Sequence, residues 1–98
     1  MRIYIAGHIK GQKNFYGAFV AAENKLRAAG HEVINPAKLN LMVPDTYTQQ
    51  EYMKIRIPLL DTCEAVFCLK GWNHSDVANQ EVAHAMETGK TIMFEQVA

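Results

Sequence analysis

Neither sign of charge predominates in this sequence: ten Lys and Arg residues balance ten Asp and Glu, for a formal net charge of +0. That balance lacks the basic footprint of a protein that grips phosphate backbones, so no nucleic-acid partner is expected. Long apolar runs are also missing, which excludes a helical membrane span. The chain opens on a strand-like Arg2-Ile3-Tyr4-Ile5-Ala6 rather than a basic, apolar, cleavable leader, and the expected location is cytoplasmic. Cysteine is scarce. Cys63 and Cys68 fit neither a zinc knuckle nor a redox pair, and buried reduced thiols are expected. His8, His31, His74 and His84 lack metal-ligand spacing, so neither a metal nor a cofactor is expected.

What is present is globular composition, with 49% hydrophobic and 20% charged residues in 98 residues. This length suits a single domain, residues 1–98, whose modest core makes a homodimer or higher homo-oligomer the expected assembly. Apolar runs alternate with helix-period segments, the pattern of βαβ units around a parallel sheet. The first strand spans about residues 2–6. Asn14 is the expected cap of a helix reaching Ala29, with Phe15, Phe19, Ala22 and Leu26 as its apolar stripe and Glu23, Lys25 and Arg27 facing water. Gly30 ends it. A second strand, His31–Asn35, stops at Pro36. Residues 36–47 show no periodicity, as in a substrate-covering segment.

Thr48 and Glu51 form a capping-box pattern for the next helix, whose expected stripe is Tyr52, Ile55 and Leu59, with Pro58 expected to kink or truncate it. The continuous run Ala65-Val66-Phe67-Cys68-Leu69 reads as a central strand. A helix over 76–88 closed by Gly89 and a last strand over 90–95 complete an α/β, three-layer Rossmann-like or flavodoxin-like domain with four to five parallel strands. Ligands in such folds bind beyond the carboxyl ends of the strands.

Two turns therefore draw the functional reading. Gly7-His8-Ile9-Lys10-Gly11 lacks both the dinucleotide fingerprint and the triphosphate-loop ending, leaving either a cradle of N–H groups and an ammonium for a small anion, or a plain tight turn with a solvated lysine. Ser75 and Asp76 fall at a helix start, where either can cap it. Glu81 lies beside Ala78 and Ala85 on the flank of the stripe holding Val82 and Met86. There it is either a solvated glutamate or a carboxylate nucleophile toward an electrophilic carbon. Tyr4 is either a buried paired ring or a pocket residue. Trp72 either stacks on a base or packs as a lid, and Asn35 either bonds a base or ends its strand.

The run Ile3-Tyr4-Ile5-Ala6-Gly7 with Gly11, then Val33-Ile34-Asn35-Pro36-Ala37, Cys63-Glu64-Ala65, Gly71-Trp72 with Ser75 and Glu81, and Gly89-Lys90 together resemble the nucleoside 2-deoxyribosyltransferase superfamily over nearly the whole chain. The closest pattern is a short branch common in bacteria and phages, and the 2′-deoxynucleoside 5′-monophosphate N-glycosidases are a related group. The resemblance implies that Glu81 attacks C1′ of the deoxyribose, that Tyr4 positions this carboxylate, and that His8-Ile9-Lys10-Gly11 and Ser75 hold a 5′-phosphate. It would also place an aspartate acting on the leaving base where this chain has Arg56, and a glycine where it has Val77. Asp76 and Asp61 are the candidate acids to stand in for it. The expected function is cleavage or base exchange at the N-glycosidic bond of a nucleoside or its 5′-monophosphate. The alternative is a catalytically silent nucleotide-binding protein of the same fold.

Overall fold

The computed structural model describes residues 1–9 and 13–96. Its centre is a four-stranded parallel sheet of β1 (Arg2–Ala6), β2 (Glu32–Ile34), β3 (Ala65–Cys68) and β4 (Thr91–Phe94), in the order β2-β1-β3-β4. Ile3 pairs with Val33 on one side and with Ala65 on the other, and Val66 pairs with Ile92. From β1 the chain builds outward to β2, then returns to β3 and builds the opposite way to β4. The reversal falls between β1 and β3, the place where an open α/β sheet leaves a crevice at its carboxyl edge.

The period of two along β1 divides the core into two layers. Ile3 and Ile5 face helix α1 (Phe15–Ala28), meeting Phe19, Ala22 and Leu26. Tyr4 and Ala6 face helices α2 (Gln49–Asp61) and α3 (Asp76–Glu87), meeting Leu60, Val82 and Ala85. The fold class read from the sequence is thus found, with four strands among the described residues. No helix among them is long and apolar enough to cross a membrane.

Several local expectations hold. Thr48 and Glu51 form both arms of the capping box, and Gly30 and Gly89 follow their helices with φ of 93° and 75°, a region that glycine enters without a Cβ penalty. Both cysteines are buried and unpaired, and burial pushes the Cys68 thiol up to about 11. Other expectations are corrected. Asn14 precedes α1 but its side chain makes no capping bond. Part of the 36–47 segment winds into a 3-10 helix, Pro36–Leu41, started by Asn35, whose Oδ1 accepts from Ala37 N–H.

Helix α2 runs through the exposed Pro58 to Asp61, so the expected truncation does not occur. Its fully buried positions are Arg56 and Leu60 rather than Tyr52, Ile55 and Leu59, which are half-buried. Met86 is exposed, because the inward face of α3 runs through Ala78, Glu81, Val82 and Ala85. Glu23, expected in water, is buried between α1 and the Asn35 turn: Asn35 Nδ2 donates to it at 3.0 Å, Arg27 Nε at 2.8 Å, and Lys38 Nζ lies 3.0 Å away.

Candidate active site

Where β1 and β3 end, a cleft of about 340 Å³ opens at the switch point. Gly7 and Ile9 form one wall, continuing directly from β1. Gly7 is required there for space: a Cβ would stand 2.9 Å from both Leu69 Cδ1 and Phe19 Cζ. Ser75 and Val77 form the facing wall at the start of α3, where Ser75 Oγ accepts from Ala78 N–H and caps the helix. The third side comes from the segment before α2 and from α2 itself, with Asn40, Tyr47, Gln49, Tyr52 and Arg56. Tyr47 and Tyr52 pack ring against ring, their centroids 5.7 Å apart.

Three polar side chains from three elements converge inside the protein beside this cleft. Tyr4 points from β1 into the α2–α3 layer, Arg56 comes from the buried face of α2, and Glu81 from the buried face of α3. Tyr4 and Glu81 have no exposed surface, and Arg56 retains 4%. Arg56 Nε lies 3.0 Å from Glu81 Oε2 and Nη2 donates to Oε1 at 3.4 Å, while Nε also donates to the Tyr4 hydroxyl at 3.0 Å. The Tyr4 hydroxyl in turn donates to Glu81 Oε2.

Electrostatics follow from that burial. Loss of water pushes the Glu81 carboxyl above its ordinary value, against the pull of the Arg56 charge and of hydrogen bonds from Tyr4 and Arg56. Burial and the neighbouring carboxylate hold the Tyr4 phenol well above its ordinary value, so it stays a donor. Arg56 is a permanent cation; burial works against its charge, but Tyr4 and Glu81 more than compensate. An unpaired cation in this interior would cost more than ionising its neighbour, so at neutral pH the pair is guanidinium and carboxylate.

The residues singled out by sequence thus separate. Tyr4 and Glu81 meet, and Gly7, Ile9 and Ser75 line the same cleft. His8 lies instead in a separate recess, with Phe15, Lys70 and His74. Asp76 is exposed at the start of α3 and does not line the cleft, and Asp61 pairs with His84 Nε2 at the end of α2. Lys10 and Gly11 lie outside the described residues. Asn35 is taken up in the Glu23 cluster, and Trp72 packs against Phe94 with ring centroids 6.2 Å apart. Sequence reasoning missed Asn40, Tyr47, Gln49 and Tyr52. Their signal was positional, since the aperiodic 36–47 segment supplies two of them and α2 the others.

A family model described as "Domain of unknown function (DUF4406)" matches residues 1–94. No curated protein matches the sequence. Among solved structures, a 2-deoxyribosyltransferase from the psychrotolerant bacterium Bacillus psychrosaccharolyticus, described as a biocatalyst for the synthesis of antiviral and antitumoral nucleosides, superposes on 100% of this chain and 77% of its own. The TM-score is 0.76 at 20% sequence identity, which bears out the resemblance to the 2-deoxyribosyltransferases at the level of the fold.

Proposed function

The chain belongs to the DUF4406 family, and from that premise we propose that it binds a nucleoside or nucleoside 5′-monophosphate in the switch-point cleft and breaks or exchanges the N-glycosidic bond, with Glu81 as nucleophile. The observation that carries this reading is the buried Glu81–Arg56–Tyr4 constellation beside the cleft. Apolar side chains of similar volume would serve the fold about as well as a buried ion pair does, and strongly perturbed carboxylates next to a cleft belong to active sites more often than to scaffolds. The deoxyribosyl chemistry of the structural neighbour adds support.

In this mechanism Glu81 attacks C1′ as the bond to the base breaks, and water or a second base resolves the glycosyl-enzyme, so configuration is retained. Tyr4 holds Oε2 and aims the carboxylate. Ser75 with Gly7 and Ile9 receives the sugar and its 5′ substituent. Lys10 and Gly11 join them in the phosphate site implied by the family resemblance.

A second reading, a silent nucleotide-binding protein, is favoured by one observation. Glu81 has no accessible surface while Arg56 lines the cleft, so C1′ reaches the carboxylate only when the guanidinium shifts. Incubating the protein with a panel of nucleosides and their 5′-monophosphates and measuring free base separates the two. Release by wild type that Glu81→Ala abolishes is the expected result. If wild type releases no base and Glu81→Ala binds nucleotides equally well, the protein is a binder.

A further inference from the structure

Resting on the glycosidic reading above, we propose that Arg56 is a catalytic residue that takes the negative charge of the departing base, and that the protein therefore selects pyrimidine diones such as uracil or thymine over cytosine and adenine.

The argument starts from charge balance in the buried site. Before reaction Arg56 and Glu81 neutralise each other at 3.0 Å, with almost no water around them. When a Glu81 oxygen forms its bond to C1′, the carboxylate becomes a neutral ester and Arg56 loses its counter-charge. A buried guanidinium cannot shed its proton, so the new negative charge has to come from elsewhere. The C1′–N bond breaks at the same moment, and its electron pair goes to the base. If the base leaves as an anion, the cation exchanges one negative partner for another and the site stays neutral throughout. If the base instead left neutral, after protonation, Arg56 would be stranded as an unpaired cation.

The donors needed for that exchange are present. Arg56 lines the cleft, and its contacts to Glu81 and Tyr4 use Nε and Nη2. Among the described residues Nη1 makes no hydrogen bond. An anionic base can therefore be met by a guanidinium edge with N–H groups to spare.

Proton donors are scarce by comparison. Among the described residues no carboxylic acid lines the cleft. The titratable groups facing the pair are Tyr4 from β1, held protonated, Cys68 from β3, with its thiol pushed up to about 11 and close enough to feel the Glu81 charge, and Tyr47 and Tyr52 on the cleft wall. A site that offers a fixed cation and no acid favours a leaving group whose charge spreads onto keto oxygens, as in uracil and thymine. Cytosine and adenine, which present amino donors to the cation and leave best when protonated, are disfavoured. The atoms balance: while the base anion is still held by Arg56, water attacks C1′ and gives its proton to that anion, Glu81 is freed as a carboxylate beside Arg56, and the base is then released neutral.

Rates of base release from matched uracil and cytosine deoxynucleosides and their monophosphates, with adenine as a third case, test this over a range of pH. The ring and sugar are nearly unchanged between uracil and cytosine, so the ratio reads the leaving group. The expected result is a preference for uracil of about tenfold or more in kcat/KM, with kcat/KM itself rising with pH as Glu81 ionises and showing no falling limb up to about pH 9. Arg56→Asp should narrow that preference and add a falling limb, because a carboxylic acid beside Glu81 becomes a proton donor. Arg56→Lys should keep the preference. Should Arg56→Asp not fold, the wild-type ratio and pH profile still decide. Equal or faster release of cytosine or adenine, or a falling limb near neutrality in wild type, overturns the proposal while leaving the glycosidic reading intact. Absence of release from every substrate overturns that reading and this one with it.

Discussion

Glu23 and Glu81 are both buried helix glutamates with an arginine against them, yet they sit in opposite electrostatic regimes. Glu23, on the α1 side, is ringed by partners at the surface: the side chains of Arg27 and Lys38 are half exposed, and only the Glu23 carboxylate is inside. Burial works to raise its carboxyl, but hydrogen bonds from Asn35, Arg27 and Lys38 outweigh it and draw the value from 4.5 down to about 2. Glu81, on the α2–α3 side, shares its burial with Arg56, so the cation also loses its water and the carboxyl ends above its ordinary value. The contrast teaches that the location of the counter-ion, more than its identity, decides whether a buried carboxylate braces the fold or holds reactive potential.

The largest effect expected is from Glu81→Leu, which leaves Arg56 as a buried cation with no anion. Urea unfolding at neutral pH should show a loss of about 3–5 kcal/mol, and acid should not relieve it, because arginine keeps its charge. Arg56→Met is the sharper probe. It strands Glu81 instead, at a cost of about 3 kcal/mol at neutral pH, but a carboxylate can neutralise itself. The folded value of Glu81 is raised by burial against the pull of Arg56. Removing that pull raises it further, so stability is lost as pH climbs from the ordinary carboxyl value through the folded one, and the deficit of Arg56→Met should shrink as pH falls. A deficit independent of pH would show that Glu81 is already protonated in wild type.

Smaller effects belong to the other region. Glu23→Gln should cost about 1–2 kcal/mol at neutral pH, and less in high salt, since its cationic partners are solvated. Here the sign is reversed. The folded value is depressed, so wild type holds this contribution above about 4.5 and loses it as pH falls toward about 2, and the variant should lack that portion of the acid slope. An acid slope identical in the two proteins would place the acid sensitivity elsewhere. The smallest change expected is in the combined variant Arg56→Met with Glu81→Leu and Tyr4→Phe, which removes both charges and the buried hydroxyl they satisfy and should lie within about 1 kcal/mol of wild type, although each single change of a charge is severe. A combined variant as unstable as the sum of its parts would mean that the pair is needed by the fold, and the comparison with Glu23 would collapse.

Elements were legible in the sequence wherever their signal was local. The capping box at Thr48 and Glu51, the Ser75 cap, and the glycines after α1 and α3 are read within a few residues and stand where expected. The misses share a cause. Glu23 lies on the same helical face as Phe19, Ala22 and Leu26, but its residue type argued for water, and Arg56 lies on the same face as Leu60, outside the stripe of Tyr52, Ile55 and Leu59 read from the sequence. What keeps them inside is distant in sequence: Glu23 is held by Asn35 and Lys38 across a strand, and Glu81 by Tyr4, 77 positions away. Periodicity reports which face a residue occupies and cannot report the partner that makes burial of a charge tolerable. The family resemblance supplied the pairing of Tyr4 with Glu81, and it identified position 56 only as a departure.

The close approach at Gly7 makes the end of β1 a shared partition, with the cleft chamber on one side and the Phe19 and Leu69 side chains of the opposite layer on the other. The partition is one backbone thick. The chamber's depth is therefore set partly by residues that never touch a ligand: a bulkier ring at position 19 would push the wall inward, and a smaller side chain would let it recede. A substitution at position 19 can therefore resize the chamber without altering any group that lines it.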